Sequence, residues 1–243
     1  MTRQTEAAHR APLSRDRVLR AAVALADGIG IEALSMRRLA QELGVVPMAL
    51  YKHVANKEQL LDGMVETVVG EIDPPAPGAD WRSAVRQRIL SARAALLGHP
   101  WAAQVIRSRS GPTPAVLAYM DSVIGMFRTG GFSVDLTHHV MHALGSRILG
   151  FTQELFDAPP DPDPQGRATI PPEAAAAYPH VTELAMAAAH DGDSVVGRGC
   201  DDQFEFEFAL DLLLDGFERL HRQGWTSGPA GRPVPGGDLA PGP

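Results

Sequence analysis

Two stretches of this 243-residue chain hold side chains whose types and spacing suit chemistry. In residues 35–61, SMRRLAQELGVVPMALYKHVANKEQLL, serine, arginine, tyrosine, lysine and histidine interleave with an apolar frame. Such groups recognise anions and base edges rather than break bonds: a guanidinium pairs with guanine O6 and N7, and an ammonium with phosphate. The second stretch is His138-His139-Val140-Met141-His142, where His138 and His142 stand one helical turn apart and could share a metal ion. No Glu sits between them as in a metalloprotease helix, and spacing supplies no third ligand. A helical-bundle metal-binding protein or hydrolase using His138 and His142 is therefore the alternative reading, with interface or lining histidines the plainer one. Cys200, the single cysteine, lies among acidic residues that disfavour its thiolate, which makes it a poor nucleophile. The chain has no Gly-rich phosphate loop and no G-x-S-x-G turn, so no catalytic residue, resident metal or cofactor is expected.

The first stretch needs elements to hold it. Ser35 is a good helix N-cap, and Leu39, Ala40 and Leu43 recur on one face at helical spacing. Gly44 supplies a left-handed C-terminal residue, Val45 and Val46 cross a tight turn, and Pro47 suits a first helical turn. A second helix, about Pro47 to His53, buries Leu50 and Val54 and presents Met48, Ala49, Tyr51, Lys52 and His53. Asn56, followed three residues later by Gln59, opens the next helix in the manner of a capping box. Together these make a helix-turn-helix whose second helix is free to enter a major groove.

The run Leu50-Tyr51-Lys52-His53-Val54, followed by Asn56-Lys57 and Leu60-Leu61, resembles the DNA-binding segment of the tetracycline-repressor (TetR) family, one-component bacterial repressors released by small ligands. The likeness begins near Leu13 and is strong to about Glu71; beyond it, the helix order resembles the family's ligand-binding and dimerisation domain. The resemblance implies that Ser35 and Arg37 approach DNA, Arg37 at a base edge. It places Pro47, Met48 and Ala49 towards the bases, where their few polar groups favour thymine methyls and DNA shape. It places Tyr51, Lys52, His53 and Lys57 against the backbone; for Tyr51 the plain alternative, compatible with that role, is a half-buried ring packing on the first helix.

Composition agrees with an all-α chain. The hydrophobic fraction is 44% and the charged fraction 21%, aromatics are few, and valine and isoleucine fall at helical rather than alternating spacing. No apolar run approaches the roughly 18 residues of a membrane helix, there is no signal-peptide core, and one cysteine suits a reducing compartment, so a cytoplasmic protein is expected. The net charge of −7 is unevenly shared: residues 1–55 hold eight Lys and Arg against five Asp and Glu, leaving −10 on the remainder. Local, not global, positive charge is what phosphates require.

Read in order, the chain divides into an arm (1–12), a helix-turn-helix DNA-binding domain (13–55), a connecting helix (56–73), a ligand-binding and dimerisation domain (80–224) and a disordered tail (225–243). The first helix starts at Ser14, with Val18, Ala21, Ala22, Leu25, Ala26 and Ile29 as its stripe. Asp73-Pro-Pro-Ala-Pro-Gly marks the domain boundary. Further helices follow from Asp80, Trp101, Thr113-Pro114, Ser133, Pro172 and Asp201, with a proline-rich mobile loop at 157–172.

The family resemblance implies a ligand pocket after Asp80, lined by Trp81, Arg88, Ile89, Trp101, Ile106, Met120, Phe127, His138, Met141 and Phe151, with ordinary core the plain alternative for each. Arg88 would face an anionic group. Ile106 and Asp73 stand where the tetracycline repressor carries a metal-binding and a drug-contacting histidine, so a magnesium–tetracycline complex is not expected and the inducer is open. The last helix is apolar on two sides, Phe204, Phe208 and Leu212 on one and Phe206, Leu210, Leu213, Phe217 and Leu220 on the other. In the family such a helix pairs with the Ser133–Phe156 helix and their copies, which implies a homodimer through Leu144, Ile148, Phe206, Leu210, Leu213 and Phe217. Two-fold symmetry then matches an operator of two inverted half-sites.

Overall fold

A computed structural model describes residues 12–150, 172–180, 182–183 and 202–228, and every element among them is helical. The arm at 1–11, Phe151, the proline-rich stretch before Pro172, Cys200 and the tail beyond Gly228 lie outside the described residues.

Seven helices make up the unit that ends at Gly130. They are α1 (Arg15–Ile29), α2 (Met36–Leu43), α3 (Pro47–Leu50), α4 (Lys57–Val69), α5 (Trp81–Gly98), α6 (Ala102–Ser108) and α7 (Pro114–Thr129). Five of these starts are set by side-chain caps. Ser14, Ser35, Asn56, Asp80 and Thr113 each accept a hydrogen bond from a backbone N–H of the first turn. The expected stripe of α1 is realised at Val18, Ala22 and Ala26, all fully buried, while Ala21, Leu25 and Ile29 are half-buried at its edge.

α4 is the centre of this unit, packing on α1, α5, α6 and α7. Its buried residues Leu60, Leu61, Met64, Val65 and Val68 share one cluster with Leu19, Leu39, Leu50 and Val54 of the helix-turn-helix. Gly63 makes the α1–α4 approach possible, because a Cβ there would lie 2.6 Å from Leu19 Cδ2. The same cluster includes Ala95, Trp101, Ala102 and Val105. Packing therefore runs straight across the 74–80 boundary: Ala95 of α5 and Ala102 and Val105 of α6 rest on the helix-turn-helix core.

The second unit begins at Gly131 and contains α8 (Val134–Gly150), α9 (Pro172–Ala177) and α10 (Asp202–Arg222). Ser133 Oγ caps α8 by accepting from Leu136 N at 3.0 Å. Within the unit α8 and α10 pack together, burying Phe132, Leu136, Val140 and Leu144 with Phe206, Leu210, Leu214 and Phe217. α9 breaks at Tyr178, the residue before Pro179, where the following ring disfavours helical backbone. The first residues of the expected tail are ordered instead. Ser227 donates to Asp135 from its backbone N at 2.6 Å and from its hydroxyl at 2.7 Å, and Trp225 lies edge-on to His139.

Candidate functional site

The candidate nucleic-acid interface is built on the turn between α2 and α3. Gly44 sits at φ 65°, ψ 37°, and the N–H groups of Gly44 and Val45 bond back to Gln41 O and Ala40 O at 3.1 and 2.9 Å. This is a Schellman closure, which satisfies the last carbonyls of α2 and turns the chain sharply. Pro47 stands at the first position of α3, where the missing N–H costs nothing. α3 is shorter than expected, four residues with a turn over 51–53 in place of a helix reaching His53. His53 N still bonds Leu50 O at 2.8 Å and Val54 N bonds Leu50 O at 3.0 Å, so the chain keeps its helical course.

Leu50 and Val54 are wholly buried and anchor this segment to α1, α2 and α4. With them fixed, the opposite face projects outward: Val46 is 68% exposed, Met48 71% and Tyr51 45%, with Pro47 and Lys52 also exposed and Ala49 and His53 half-buried. Tyr51 is therefore a surface ring rather than a core one. Arg37 lies exposed on the first turn of α2. Ser35 Oγ accepts from Arg38 N at 3.2 Å, which uses one lone pair and leaves the hydroxyl hydrogen able to donate. Asn56 and Gln59 cap α4 reciprocally: Asn56 Oδ1 accepts from Gln59 N at 2.8 Å, and Gln59 Oε1 accepts from Ala55 N at 2.5 Å. Lys57 is thereby held exposed at the N-terminus of α4, where helix N–H groups already favour an anion.

The expected pocket residues separate into distinct places. Trp81 and Phe127 meet between α5 and α7 with ring centroids 5.6 Å apart, and Ile89 is buried on the same side of α5. Arg88 does not point into solvent: its Nη1 donates to Ile72 O at 3.0 Å and to Asp73 O, and its guanidinium lies 5.0 Å over the Tyr119 ring. Tyr119, which spacing did not single out, is pushed up to about 12 by burial, with Arg88 opposing. The Nε of Arg88 and the hydroxyl of Tyr119 are buried with no hydrogen-bond partner among the described residues. Met120 is on the surface.

Trp101 and Ile106 depart from the lining role. Trp101 is buried against the helix-turn-helix and its Nε1 donates to Asp27 Oδ1 of α1 at 2.6 Å; Ile106 packs on the same cluster. Helical spacing marks a residue as inward-facing but does not say which neighbour it meets. An open groove along α5, lined by Asp73, Ser83, Arg86, Gln87, Leu90 and Ser91, contains none of the expected lining residues.

In the second unit His138 is exposed and Met141 half-buried. The His138 ring lies edge-on to His139 at 5.2 Å and to His142 at 4.7 Å, while His139 Nε2 is 3.8 Å from Asp135. Among the described residues no group of three His, Cys, Asp or Glu is placed to hold a metal ion. The interface residues expected on α8 and α10 also separate: Leu144, Phe206, Leu210 and Phe217 are buried inside their own unit and Leu213 is half-buried. Phe204, Phe208 and Leu212 are the exposed stripe, at 61%, 54% and 56%. The Ile148 side chain lies outside the described set.

Two polar junctions that sequence reasoning missed tie this framework together. Arg109, just after α6, lies 2.6 Å from Glu58 and 2.8 Å from Asp62, both on α4. His99, at the end of α5, stands between Asp27 of α1 and Glu71 after α4.

Comparison with known proteins gives the same outline. Residues 18–64 match the family model for bacterial regulatory proteins of the tetR family, and residues 74–221 match the tetracyclin repressor-like C-terminal domain. The HTH-type transcriptional repressor DrrR1 of Streptomyces coeruleorubidus is 32% identical over 87% of this chain and 79% of its own length. The TetR family protein ActR of Streptomyces coelicolor, solved with (S)-DNPA, aligns at TM-score 0.61 and 26% identity, over 87% of this chain and all of that one. BioQ of Mycobacterium smegmatis, solved with its double-stranded DNA operator, aligns at TM-score 0.58 and 25% identity, over 86% and 99%.

Proposed function

Since the chain belongs to the tetR family of bacterial DNA-binding regulators, we propose that it is a cytoplasmic homodimeric repressor that occupies an operator of two inverted half-sites and leaves it when a small molecule binds. The observation that carries this reading is the α3 segment. Leu50 and Val54 are buried to the last atom, while Met48 on the four-residue α3 and Tyr51 and Lys52 in the hydrogen-bonded turn after it stand outside. Pro47, Met48 and Ala49 take the bases, Arg37 a base edge, and Ser35, Tyr51, Lys52, His53 and Lys57 the phosphates.

Ligand binding belongs in this reading to the α5–α7 face that holds Trp81, Arg88, Ile89, Tyr119 and Phe127. The effector works by differential affinity, favouring the conformation in which the two recognition segments are wrongly spaced for the operator. Dimerisation uses the exposed stripe Phe204, Phe208 and Leu212, with the buried Phe206, Leu210 and Phe217 supporting it from behind. No helix among the described residues is long and apolar enough to cross a membrane, which accords with a cytoplasmic site of action. The metal-binding or hydrolase alternative on His138 and His142 is withdrawn: the family consists of regulators, and no third ligand joins the pair among the described residues.

The test is a gel shift of the purified protein against DNA from its own upstream region and a fragment library of its genome, repeated across salt. Retardation at nanomolar protein, steeply weakened by salt and reduced in Lys52→Ala, is expected. Absence of any specifically retained fragment would overturn the reading.

A further inference from the structure

At His99, the DNA-binding part and the effector part meet a single ionisable ring. Its Nδ1 lies 2.9 and 3.0 Å from the two carboxylate oxygens of Asp27, at the end of α1. Its Nε2 lies 3.0 Å from Glu71 Oε2, just beyond α4. The side chain is only 13% exposed. On the α6 side its neighbour is the neutral Trp101 ring, at 6.0 Å, whose N–H fixes Asp27 in place. The charged groups facing the imidazole are thus two carboxylates, one on α1 and one just beyond α4.

That arrangement suits one protonation state. An imidazolium carries two N–H donors and satisfies both carboxylates; a neutral imidazole carries one, and its lone pair must then face a carboxylate oxygen about 3 Å away. Losing the proton therefore turns one attractive contact into a repulsive one, and the tie to Asp27 on α1 or to Glu71 after α4 must give way.

We propose that His99 is a proton-controlled clamp: charged, it ties α1 and the end of α4 to the α5–α6 turn, and neutral, it releases one of them. The clamp sets how firmly effector helices are coupled to the DNA-binding helices, and this regulatory meaning rests on the function proposed above. The direction of titration agrees. Burial pulls the His99 pKa down, but the hydrogen bonds and charges of Asp27 and Glu71 outweigh it, and the net value is raised above the ordinary 6.5. A raised folded-state value means that the clamp's stabilisation is fully present below 6.5 and disappears as pH rises through the folded-state pKa.

The experiment uses the full-length protein without DNA. Imidazole resonances of His99 are titrated by NMR in wild type and Glu71→Gln, and unfolding by urea is compared for wild type and His99→Gln from about pH 5.5 to 9, at one fixed protein concentration. The clamp predicts a His99 midpoint above 6.5 that falls in Glu71→Gln. It also predicts that the wild-type advantage over His99→Gln shrinks with rising pH, by up to about tenfold in the unfolding constant per pH unit within the window. A midpoint at or below 6.5, or parallel pH profiles for the two proteins, would overturn it. Should His99→Gln fail to fold, the NMR titrations decide alone. Because no operator is involved, a failed clamp leaves the DNA-binding reading standing, and a failed operator search leaves the clamp standing.

Discussion

Lys52 and Leu50 are two residues apart and do opposite work. Leu50 is sealed into the core and sets the pitch of the segment, whereas Lys52 is left outside with its ammonium available to a phosphate. Replacing Lys52 by alanine should weaken binding about equally for all DNA sequences and reduce the slope of log affinity against log salt by about one. Fluorescence anisotropy at several salt concentrations measures both. An unchanged slope would remove Lys52 from the interface. This division between buried anchor and exposed neighbour was legible in the sequence, because period-3.6 spacing separates Leu50 and Val54 from their neighbours. The partners of His99 and Arg109 were not. His99 and Asp27 are 72 positions apart, and no local pattern connects a histidine at the end of one helix to a carboxylate at the end of another.

At the scale of elements, local chemistry fixed the helix starts, since Ser14, Ser35, Asn56, Asp80, Thr113 and Ser133 all cap as their types dictate. What local chemistry left open was which helix each inward face meets. Trp101 and Ile106 have the spacing of lining residues yet close on the helix-turn-helix, since α6 crosses α4 rather than standing over the α5–α7 face. The α5–α7 contact depends on a second feature invisible to periodicity. A Cβ on Gly130 would sit 2.6 Å from Trp81 Cγ and 2.7 Å from its Cβ, the rigid root of the side chain. Gly130→Ala must therefore displace Trp81 from Phe127, and an overpacking cost of about 1–3 kcal/mol is expected in urea unfolding. Trp81 fluorescence should shift in parallel. A variant as stable as wild type would show that this junction is looser than the structure describes.

For the whole molecule, the stripe of exposed apolar side chains on α10 is the feature that bears on assembly. Phe204 and Phe208 stack at 6.4 Å and Leu212 continues the line one turn further. Its two-sided apolar pattern was legible in the sequence, but which side faces the protomer's own core was not: both stripes are apolar, and the packing of α8 decides between them. Phe208→Asp leaves the buried side intact, so the protomer should stay folded while sedimentation shifts from dimer towards monomer. Retention of the dimer would place the interface elsewhere.

The central claim is that two copies of the α3 segment read DNA together. Hydroxyl-radical footprinting of the protein on a retained genomic fragment tests it most directly. The account predicts two protected half-sites in inverted repeat, with centres about one helical turn of roughly 10 base pairs apart or a multiple of it. Protection of a single site, or of the fragment without sequence boundaries, would contradict it.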